Sequence, residues 1–371
     1  MSAKHYFACG NTAKGFCNLF STNIQPLSKL FILKGGPGTG KSTLMGKIGR
    51  ELEELSIDVE YIHCSSDPDS LDGVLAPKLG VGIVDGTAPH VIESTAPGAI
   101  EEYVNLGVAW DTDKLATHSK EILDIQNNMK RCYKNAYAAF AEGLVVHDEW
   151  EKIYINNMNF SKANKLTEKV ITRLLGTTLL FKTSSIKHRF FGGSTPYGPM
   201  DFVENITENI AKRYFIKGRP GSGKSTMLKK LLDKAQARGI DVEVYHCGFD
   251  PDSLDMLLFP ELDLCIFDST APHEYYPIRE GDSVIDMYAE LINAHTDEIY
   301  AAELADIVAR YKLCTKEGTD HLANAKRYHD EMEKFYIEAT NFKVIDKIYD
   351  ELYHRIMKYH SEEFISTASL E

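Results

Sequence analysis

The stretch LFILKGGPGTGKSTLMGK, residues 30–47, decides the fold of this chain, and most of it returns as YFIKGRPGSGKSTMLKK at residues 214–230. Each copy has a short apolar run, a glycine-rich loop with the pattern GxxxxGK[ST], and a segment with helical spacing. We name the loops loop 1 (residues 35–42) and loop 2 (residues 218–225). Glycines let successive backbone N–H groups turn toward a phosphate, and the positive end of the following helix faces the same anion. The pattern therefore predicts two phosphate-binding strand–loop–helix units.

The residue types in the loops indicate separate roles. The lysine of such a loop reaches the β- and γ-phosphates, and the serine hydroxyl is placed to bind Mg²⁺. Lys41 and Lys224 are therefore predicted catalytic residues, and Ser42 and Ser225 predicted metal ligands. The full set of predicted nucleotide-binding residues is Gly35, Gly36, Pro37, Gly38, Thr39, Gly40, Lys41, Ser42 and Thr43 around loop 1, and Gly218, Arg219, Pro220, Gly221, Ser222, Gly223, Lys224, Ser225 and Thr226 around loop 2.

The similarity of the two halves extends well beyond the loops. A shift of 183 residues carries IDVEYIHCSSDPDSLD (57–72) onto IDVEVYHCGFDPDSLD (240–255), and IVDGTAPH (83–90) onto IFDSTAPH (266–273). HDEWEKIY at residue 147 matches HDEMEKFY at residue 329 with a shift of 182. The chain is therefore a tandem duplication of two units of ordinary domain size.

Within one repeat, apolar runs predict strands at 30–34, 59–64 and 81–85, with helices at 42–55 and 70–79 between them. Such βαβαβ alternation predicts a parallel sheet with helices on its faces. Beyond about residue 100 the pattern becomes helical. The predicted fold class is α/β, with a first domain at 1–183 (core about 1–98, helical part about 99–183) and a second at 184–371 (core about 184–281, helical part about 282–371).

These motifs resemble those of the P-loop NTPase superfamily. The whole chain, with HC…DPDSLD and D.TAPH in both halves, resembles a bacterial family of tandem P-loop ATPases. The resemblance implies two tandem P-loop NTPase domains, each with an appended helical subdomain. It also implies ATP or another NTP and Mg²⁺ as cofactors, with Lys41 and Lys224 serving triphosphate binding.

Asp85 and Asp268 each end an apolar strand, where a Walker B aspartate holds Mg²⁺. The structural alternative is a strand-end Asp that caps the next turn. Many ATPases of this superfamily place a Glu directly after that Asp to polarise the attacking water, but here Gly86 and Ser269 follow. This departure leaves room for a phosphotransferase.

The duplicated His-Cys and Asp-Pro stretch allows two interpretations. His63, Asp67 and His90 in the first repeat can approach the γ-phosphate and orient a water or an acceptor. Alternatively, the histidines have a structural role, and Asp67 before Pro68 starts a helix as its N-cap. The same alternatives hold for the second-repeat residues, which are His246, Asp250 and His273. A shared His-Cys-Asp metal site is disfavoured because neighbouring strand residues point to opposite faces.

The segments beginning at His147 and His329 recur, but a helical face with i,i+4 pairs at Asp148–Lys152 and Asp330–Lys334 explains them more simply. Such a face is expected to be solvated or to lie between subdomains.

Composition limits the partners. The net charge of −13 disfavours nucleic acid, and no segment approaches the ~20 apolar residues that cross a membrane. Seven scattered cysteines and no apolar leader at the start favour a reduced, cytoplasmic protein.

The predicted function is a Mg·ATP-binding ATPase whose two coupled sites drive a conformational or regulatory step. Coupling would come from a charge lent by one half to the other, with Arg219 or Arg189 as donors. The alternatives are a small-molecule or nucleotide kinase and a regulatory module that binds ATP without turnover.

Overall fold

The computed structural model describes residues 3–368, with side chains described for residues 3–360. Its contacts divide the chain into two compact units. Unit 1 comprises the chain up to Cys9, Asn23–Lys134 and the part from His321 onward, and unit 2 comprises Gly10–Thr22 and Asn135–Asp320.

The strands of the described part are β1 Lys4–Phe7, β2 Cys9–Thr12, β3 Gly15–Asn18, β4 Lys29–Lys34, β5 Glu60–Cys64, β6 Asp67–Ala76, β7 Val81–Asp85, β8 Glu101–Asn105, β9 Ile186–Phe190, β10 Gly192–Thr195, β11 Gly198–Asp201, β12 Lys212–Lys217, β13 Val242–His246, β14 Leu254–Phe259, β15 Leu264–Asp268 and β16 Asp282–Asp286.

The α-helices are α1 Phe20–Asn23, α2 Lys41–Glu54, α3 Thr112–Thr117, α4 Ser119–Asn156, α5 Phe160–Leu175, α6 Val203–Ile206, α7 Lys224–Ala237, α8 Met287–Leu291, α9 Thr296–Ile299, α10 Ala301–Ala339 and α11 Phe342–Ala368. None of the helices within residues 3–368 combines the length and apolar character that a membrane crossing requires.

Each unit contains a six-stranded section of mixed β-sheet. The strand order is β1-β5-β6-β7-β4-β8 in unit 1 and β9-β13-β14-β15-β12-β16 in unit 2. In both, the strand that precedes the loop pairs in parallel with both of its neighbours. The third strand in each order, β6 or β14, is antiparallel to both of its neighbours. The α/β class is confirmed, whereas the predicted all-parallel sheet is wrong.

The prediction that failed is the helix at 70–79, since this segment forms most of β6. Asp72–Ala76 are all buried, as expected of a central strand with both faces covered. Gly73 fits the tight interior because a Cβ there would lie 3.1 Å from the Val84 side chain. A short apolar run does not distinguish a buried strand from a buried helix by periodicity. The other predicted elements of this repeat are confirmed as β4, α2, β5 and β7.

The helices that complete each core come from the other sequence repeat. In unit 1, the α11 side chains Ile345, Tyr349, Leu352 and Ile356 are buried with Phe31 of β4 and residues of α2. In the sequence these four recur at spacings of three and four residues, which predicts an amphipathic stripe in the second repeat, but they cover the core of the first repeat. Burying four such side chains contributes roughly 6–12 kcal/mol before chain entropy is subtracted.

Unit 2 has the reciprocal arrangement. The α5 residues Leu166, Val170 and Leu174, which belong to the first repeat, are buried with Met227 and Leu228 of α7. The compact units thus do not coincide with the repeats at 1–183 and 184–371, which remain a prediction about sequence ancestry. The long helix α4 passes from unit 1 to unit 2 after Lys134, and α10 passes from unit 2 to unit 1 after Asp320.

Candidate functional site

Both glycine-rich loops lie between a buried strand and a 14-residue helix, as predicted. Gly38 and Gly40 have positive φ angles of 69° and 84°, and Gly221 and Gly223 have 75° and 87°. L-residues with a Cβ rarely adopt this left-handed region, so the glycines are required by the backbone. The turn directs the chain into α2 or α7, whose N-terminal N–H groups have no partner within the helix.

The loop lysine lies close to the strand-end aspartate in each unit. Lys41 Nζ is 3.6 Å from Asp85 Oδ2, and Lys224 Nζ is 3.5 Å from Asp268 Oδ2. Lys41 also donates to the carbonyls of Gly35 and Gly36, at 2.8 Å each. The aspartate reaches the lysine because β4 and β7, like β12 and β15, are adjacent parallel strands that end at the same edge.

The loop serine is tied to the antiparallel strand. Ser42 Oγ accepts a hydrogen bond of 3.0 Å from the Leu71 N–H, and Ser225 Oγ accepts an equal one from the Leu254 N–H. The serine hydroxyl and the strand-end carboxylate are oxygen donors of the type that Mg²⁺ prefers. This donor set fits the predicted Mg²⁺ ligands Ser42, Asp85, Ser225 and Asp268.

A second carboxylate, which the sequence analysis missed, lies opposite each strand-end aspartate. The register that pairs Gly73 with Val84 brings Asp72 opposite Asp85. The register that pairs Met256 with Phe267 likewise brings Asp255 opposite Asp268. Like charges directly opposite on neighbouring strands are destabilising, so a pair present in both units calls for a functional explanation. The sequence contains a signal for Asp72 and Asp255, because DPDSLD recurs intact in both repeats.

Burial sets the proton affinity of these second carboxylates. It raises the pKa of Asp72 to about 6 and that of Asp255 to about 7. Asp85 and Asp268 act in the same direction on their respective partners, since a like charge disfavours ionisation.

The predicted site histidines at the ends of β5 and β13, His63 and His246, have hydrogen-bond partners within the protein. His63 Nε2 is 2.8 Å from His5 Nδ1, and its Nδ1 is 3.1 Å from the Pro68 carbonyl. Desolvation lowers the His63 pKa to about 4, so the ring is neutral near pH 7. His246 pairs in the same way with His188, at 2.8 Å. Both ring nitrogens of His63 are engaged, which supports the structural interpretation.

His90 and His273, in contrast, occupy different surroundings. His90 Nε2 lies 3.3 Å from Asp72 Oδ1 and 3.9 Å from Cys64 Sγ. His273 Nδ1 lies 2.5 Å from the Asp201 carboxylate. Asn18 stands at the first-repeat position that corresponds to Asp201.

The helix-cap interpretation of Asp67 and Asp250 is wrong, because no helix begins at either residue. Asp67 begins β6 and accepts a hydrogen bond from the Ser70 hydroxyl, and Asp250 accepts one from Ser253, at 2.9 Å in both cases. Each carboxylate stabilises the turn between two antiparallel strands.

The repeated helical segments lie against the loops. In unit 1, the Gly38 N–H donates to Glu333 Oε1 at 3.2 Å. A Cβ at Gly36 would lie 2.7 Å from the Tyr336 ring, so glycine is required there for the close approach of α10. In unit 2, a Cβ at Gly221 would lie 2.4 Å from the Glu151 carbonyl oxygen.

The predicted intrahelical pairs are absent from these segments. Asp330 pairs with Lys326, at 2.8 Å, in place of the predicted Lys334. Likewise, the ion pairs among the described side chains do not include Asp148–Lys152. Contact with a loop from the other repeat agrees with the expected face between subdomains and not with a solvated face.

The two arginines named as charge donors have partners within unit 2. Arg219 Nη2 is 2.7 Å from Asp297 Oδ2, and the Tyr154 hydroxyl donates to the other oxygen of Asp297 at 2.9 Å. Arg189 is fully buried, and its Nη1 lies 3.1 Å from Glu243 Oε2. Arg189 is therefore a structural residue.

Comparison of the chain with protein-family models, with curated proteins and with solved structures finds no match. The interpretation of the site therefore depends on the geometry of the residues described above.

Proposed function

We propose that the chain binds Mg·ATP at both glycine-rich loops and hydrolyses it to drive a conformational step. The observation that carries the proposal is the recurrence of one arrangement in both units. In each, a GxxxxGK[ST] loop with left-handed glycines opens a helix, and an aspartate from the adjacent parallel strand lies within 3.6 Å of the loop lysine.

Each group has an assigned task. The loop N–H groups and the N-terminus of α2 or α7 bind the phosphates, and Lys41 or Lys224 neutralises charge on the transferred group. Ser42 with Asp85, and Ser225 with Asp268, hold Mg²⁺. When bound, Mg²⁺ would supply positive charge beside the phosphate oxygens.

No Glu follows Asp85 or Asp268 in the sequence, and the carboxylate on the opposite strand takes the place of that residue. A hydrolase needs an acceptor that orients the attacking water, and Gly86 and Ser269 cannot serve. We assign this task to Asp255 in unit 2, because the corresponding carboxylate of unit 1, Asp72, is engaged by His90. Both lie at the same sheet edge as the loop lysine, beside the residue assigned to Mg²⁺.

The contacts of α10 and α4 with the loops support a conformational role. Glu333 accepts from the Gly38 N–H, which is one of the donors that a loop of this type offers to phosphate. A triphosphate on loop 1 and the Glu333 carboxylate therefore compete for the same hydrogen, so nucleotide binding displaces this part of α10. This helix begins in unit 2, at Ala301.

The test measures nucleotide stoichiometry and product together. Equilibrium dialysis with Mg·ATP is expected to give two nucleotides per chain, and incubation with ATP alone is expected to release ADP and inorganic phosphate in equal amounts. ADP that forms only when an acceptor is added would replace the ATPase with a kinase. Binding with no ADP under any condition would leave a regulatory module.

A further inference from the structure

A buried group of side chains of metal-binding types, here named the cysteine cluster, lies in unit 1 beside the proposed nucleotide site. Donor atoms of Cys9, Asp72 and His90 all lie within 4.8 Å of one another. Their exposed fractions are 0%, 3% and 6%, so all three are inside the protein. Cys9 begins β2, Asp72 lies within β6 and His90 lies in the loop after β7, so only the folded chain brings them together.

Cys64 lies next to this group, outside the three residues whose donor atoms all lie within 4.8 Å of one another, and we take it as the candidate fourth ligand. Its Sγ lies 3.9 Å from His90 Nε2, while the same nitrogen lies 3.3 Å from Asp72 Oδ1. The expectation that His63 and Cys64 point to opposite faces agrees with this arrangement, since His63 pairs with His5.

The second oxygen of Asp72 is the observation that points to a ligand. Asp72 Oδ2 is buried and has no hydrogen-bond partner among the residues that the structure describes. A buried carboxylate oxygen without a partner is costly, and a bound cation relieves that cost.

The donor types select the class of metal. Two sulfurs, an imidazole nitrogen and a carboxylate oxygen form a soft to borderline set that favours Zn²⁺ over Mg²⁺. We propose that Cys9, Cys64, Asp72 and His90 form a four-ligand transition-metal site, with Zn²⁺ as its best-suited occupant, in the first repeat alone. This site is distinct from the Ser42–Asp85 pair, which offers only oxygens.

The second repeat provides an internal control. Cys247, Asp255 and His273 correspond to Cys64, Asp72 and His90, but Gly192 replaces Cys9. His273 is engaged by Asp201. Within the part of the chain that the structure describes, the candidate metal clusters do not include the residues around Asp255. The proposal therefore requires one zinc per chain and excludes two.

The experiment needs no nucleotide and is independent of the proposed ATPase activity. Full-length protein is stripped with a chelator, reloaded with Zn²⁺ in excess Mg²⁺, and analysed by elemental mass spectrometry. We expect one zinc per chain, and substitution by Co²⁺ is expected to give the strong thiolate-to-cobalt absorption of sulfur ligation. Wild-type protein that takes up neither metal overturns the proposal.

Matched variants locate the site. Cys9→Gly reproduces the residue found at position 192 and is expected to weaken zinc binding more than about 100-fold, beyond the loss typical of outer-shell changes. His90→Asn is expected to do the same, whereas Cys247→Ser and His273→Asn keep one zinc. Zinc retained at full affinity by a folded Cys9→Gly protein assigns the metal elsewhere, such as the surface cluster His329, Asp330 and Glu333, and overturns the proposal. Circular dichroism confirms folding, and the cobalt spectrum of wild-type protein tests the sulfur ligands without any variant.

Discussion

Loop 1 and loop 2 share one sequence pattern but are held by different neighbours. In unit 1, the Tyr336 ring packs on Gly36 and Glu333 accepts from the Gly38 N–H. In unit 2, Arg219 occupies the position of Gly36 and bonds to Asp297. The glycine allows α10 to lie directly on loop 1, whereas the arginine fastens loop 2 to α9.

The surroundings of the second carboxylates, Asp72 and Asp255, also differ between the two units. Asp72 is engaged by His90 within the cysteine cluster, while His273 bonds to Asp201. One duplicated framework thus holds two chemically different sites. We expect loop 1 to act mainly in binding and response, and loop 2 to perform most of the turnover.

The largest expected effect comes from separating the repeats. Residues 1–183 lack α11, whose buried stripe contributes roughly as much as the 5–15 kcal/mol that stabilises a whole domain. Neither 1–183 nor 184–371 is expected to unfold cooperatively as a monomer, whereas the two pieces expressed together are expected to copurify. Circular dichroism melts and size-exclusion chromatography are the measurements. A monomeric half that melts cooperatively would show that the helix exchange is dispensable.

The next largest effect is expected when one loop lysine is replaced, since each replacement should remove nucleotide binding at one loop only. Lys41→Ala is expected to abolish binding at loop 1 only, and Lys224→Ala at loop 2 only, because each removes the charge that reaches the β- and γ-phosphates. Equilibrium dialysis should give one nucleotide per chain in each variant. If turnover is concentrated at loop 2, Lys224→Ala lowers the rate far more than Lys41→Ala.

The double variant completes this comparison and tests coupling. Two single-variant rates that add up to the wild-type rate would mean that the sites act independently. A wild-type stoichiometry of one would show that one loop is vestigial.

Removing the second carboxylate should separate chemistry from binding. Asp255→Asn keeps the size of the side chain but weakens the acceptor for the attacking water, so we expect turnover to fall about 100-fold with little change in ATP affinity. Asp72→Asn is the matched variant and is expected to change turnover much less, while it disrupts the cysteine cluster. Steady-state phosphate release and dialysis measure the two quantities. Equal losses in both variants would remove the functional difference between the units.

The sequence predicted the loops and their flanking elements well because these are local features. Glycine conformations, the strand before Lys41 and the helix after it depend on residues a few positions apart. The sequence also predicted that Asp85 and Asp268 end their strands, and the structure confirms this for β7 and β15.

The antiparallel strand and the exchange of helices were not predictable in the same way. Residues 70–79 have an apolar run that suits either a helix or a strand, and only the neighbours β5 and β7 decide between them. The apolar spacing in α11 predicts that one face of the helix is buried, but it does not predict which core that face covers. The last Asp of DPDSLD is present in both copies, as Asp72 and Asp255. Its position opposite Asp85 or Asp268 becomes evident only through the strand register.

The smallest effect is the most specific to loop 1. If ATP and Glu333 compete for the Gly38 N–H, Glu333→Ala removes the competitor and should tighten ATP binding at loop 1. A hydrogen bond to a charged group contributes about 1.5–3 kcal/mol, and the partial exposure of Glu333 reduces this, so we expect about a tenfold gain.

The control is Glu151→Ala at the matching position of unit 2, where the loop meets the backbone carbonyl of Glu151 and the side chain is 37% exposed. Titration of each variant in a background that lacks the other loop lysine isolates one site at a time. Unchanged affinity in Glu333→Ala would mean that α10 does not compete with phosphate, and the conformational part of the proposed function would lose its support. An equal gain in Glu151→Ala would show instead that both helices restrain their loops through side-chain charge, which would remove this difference between the units.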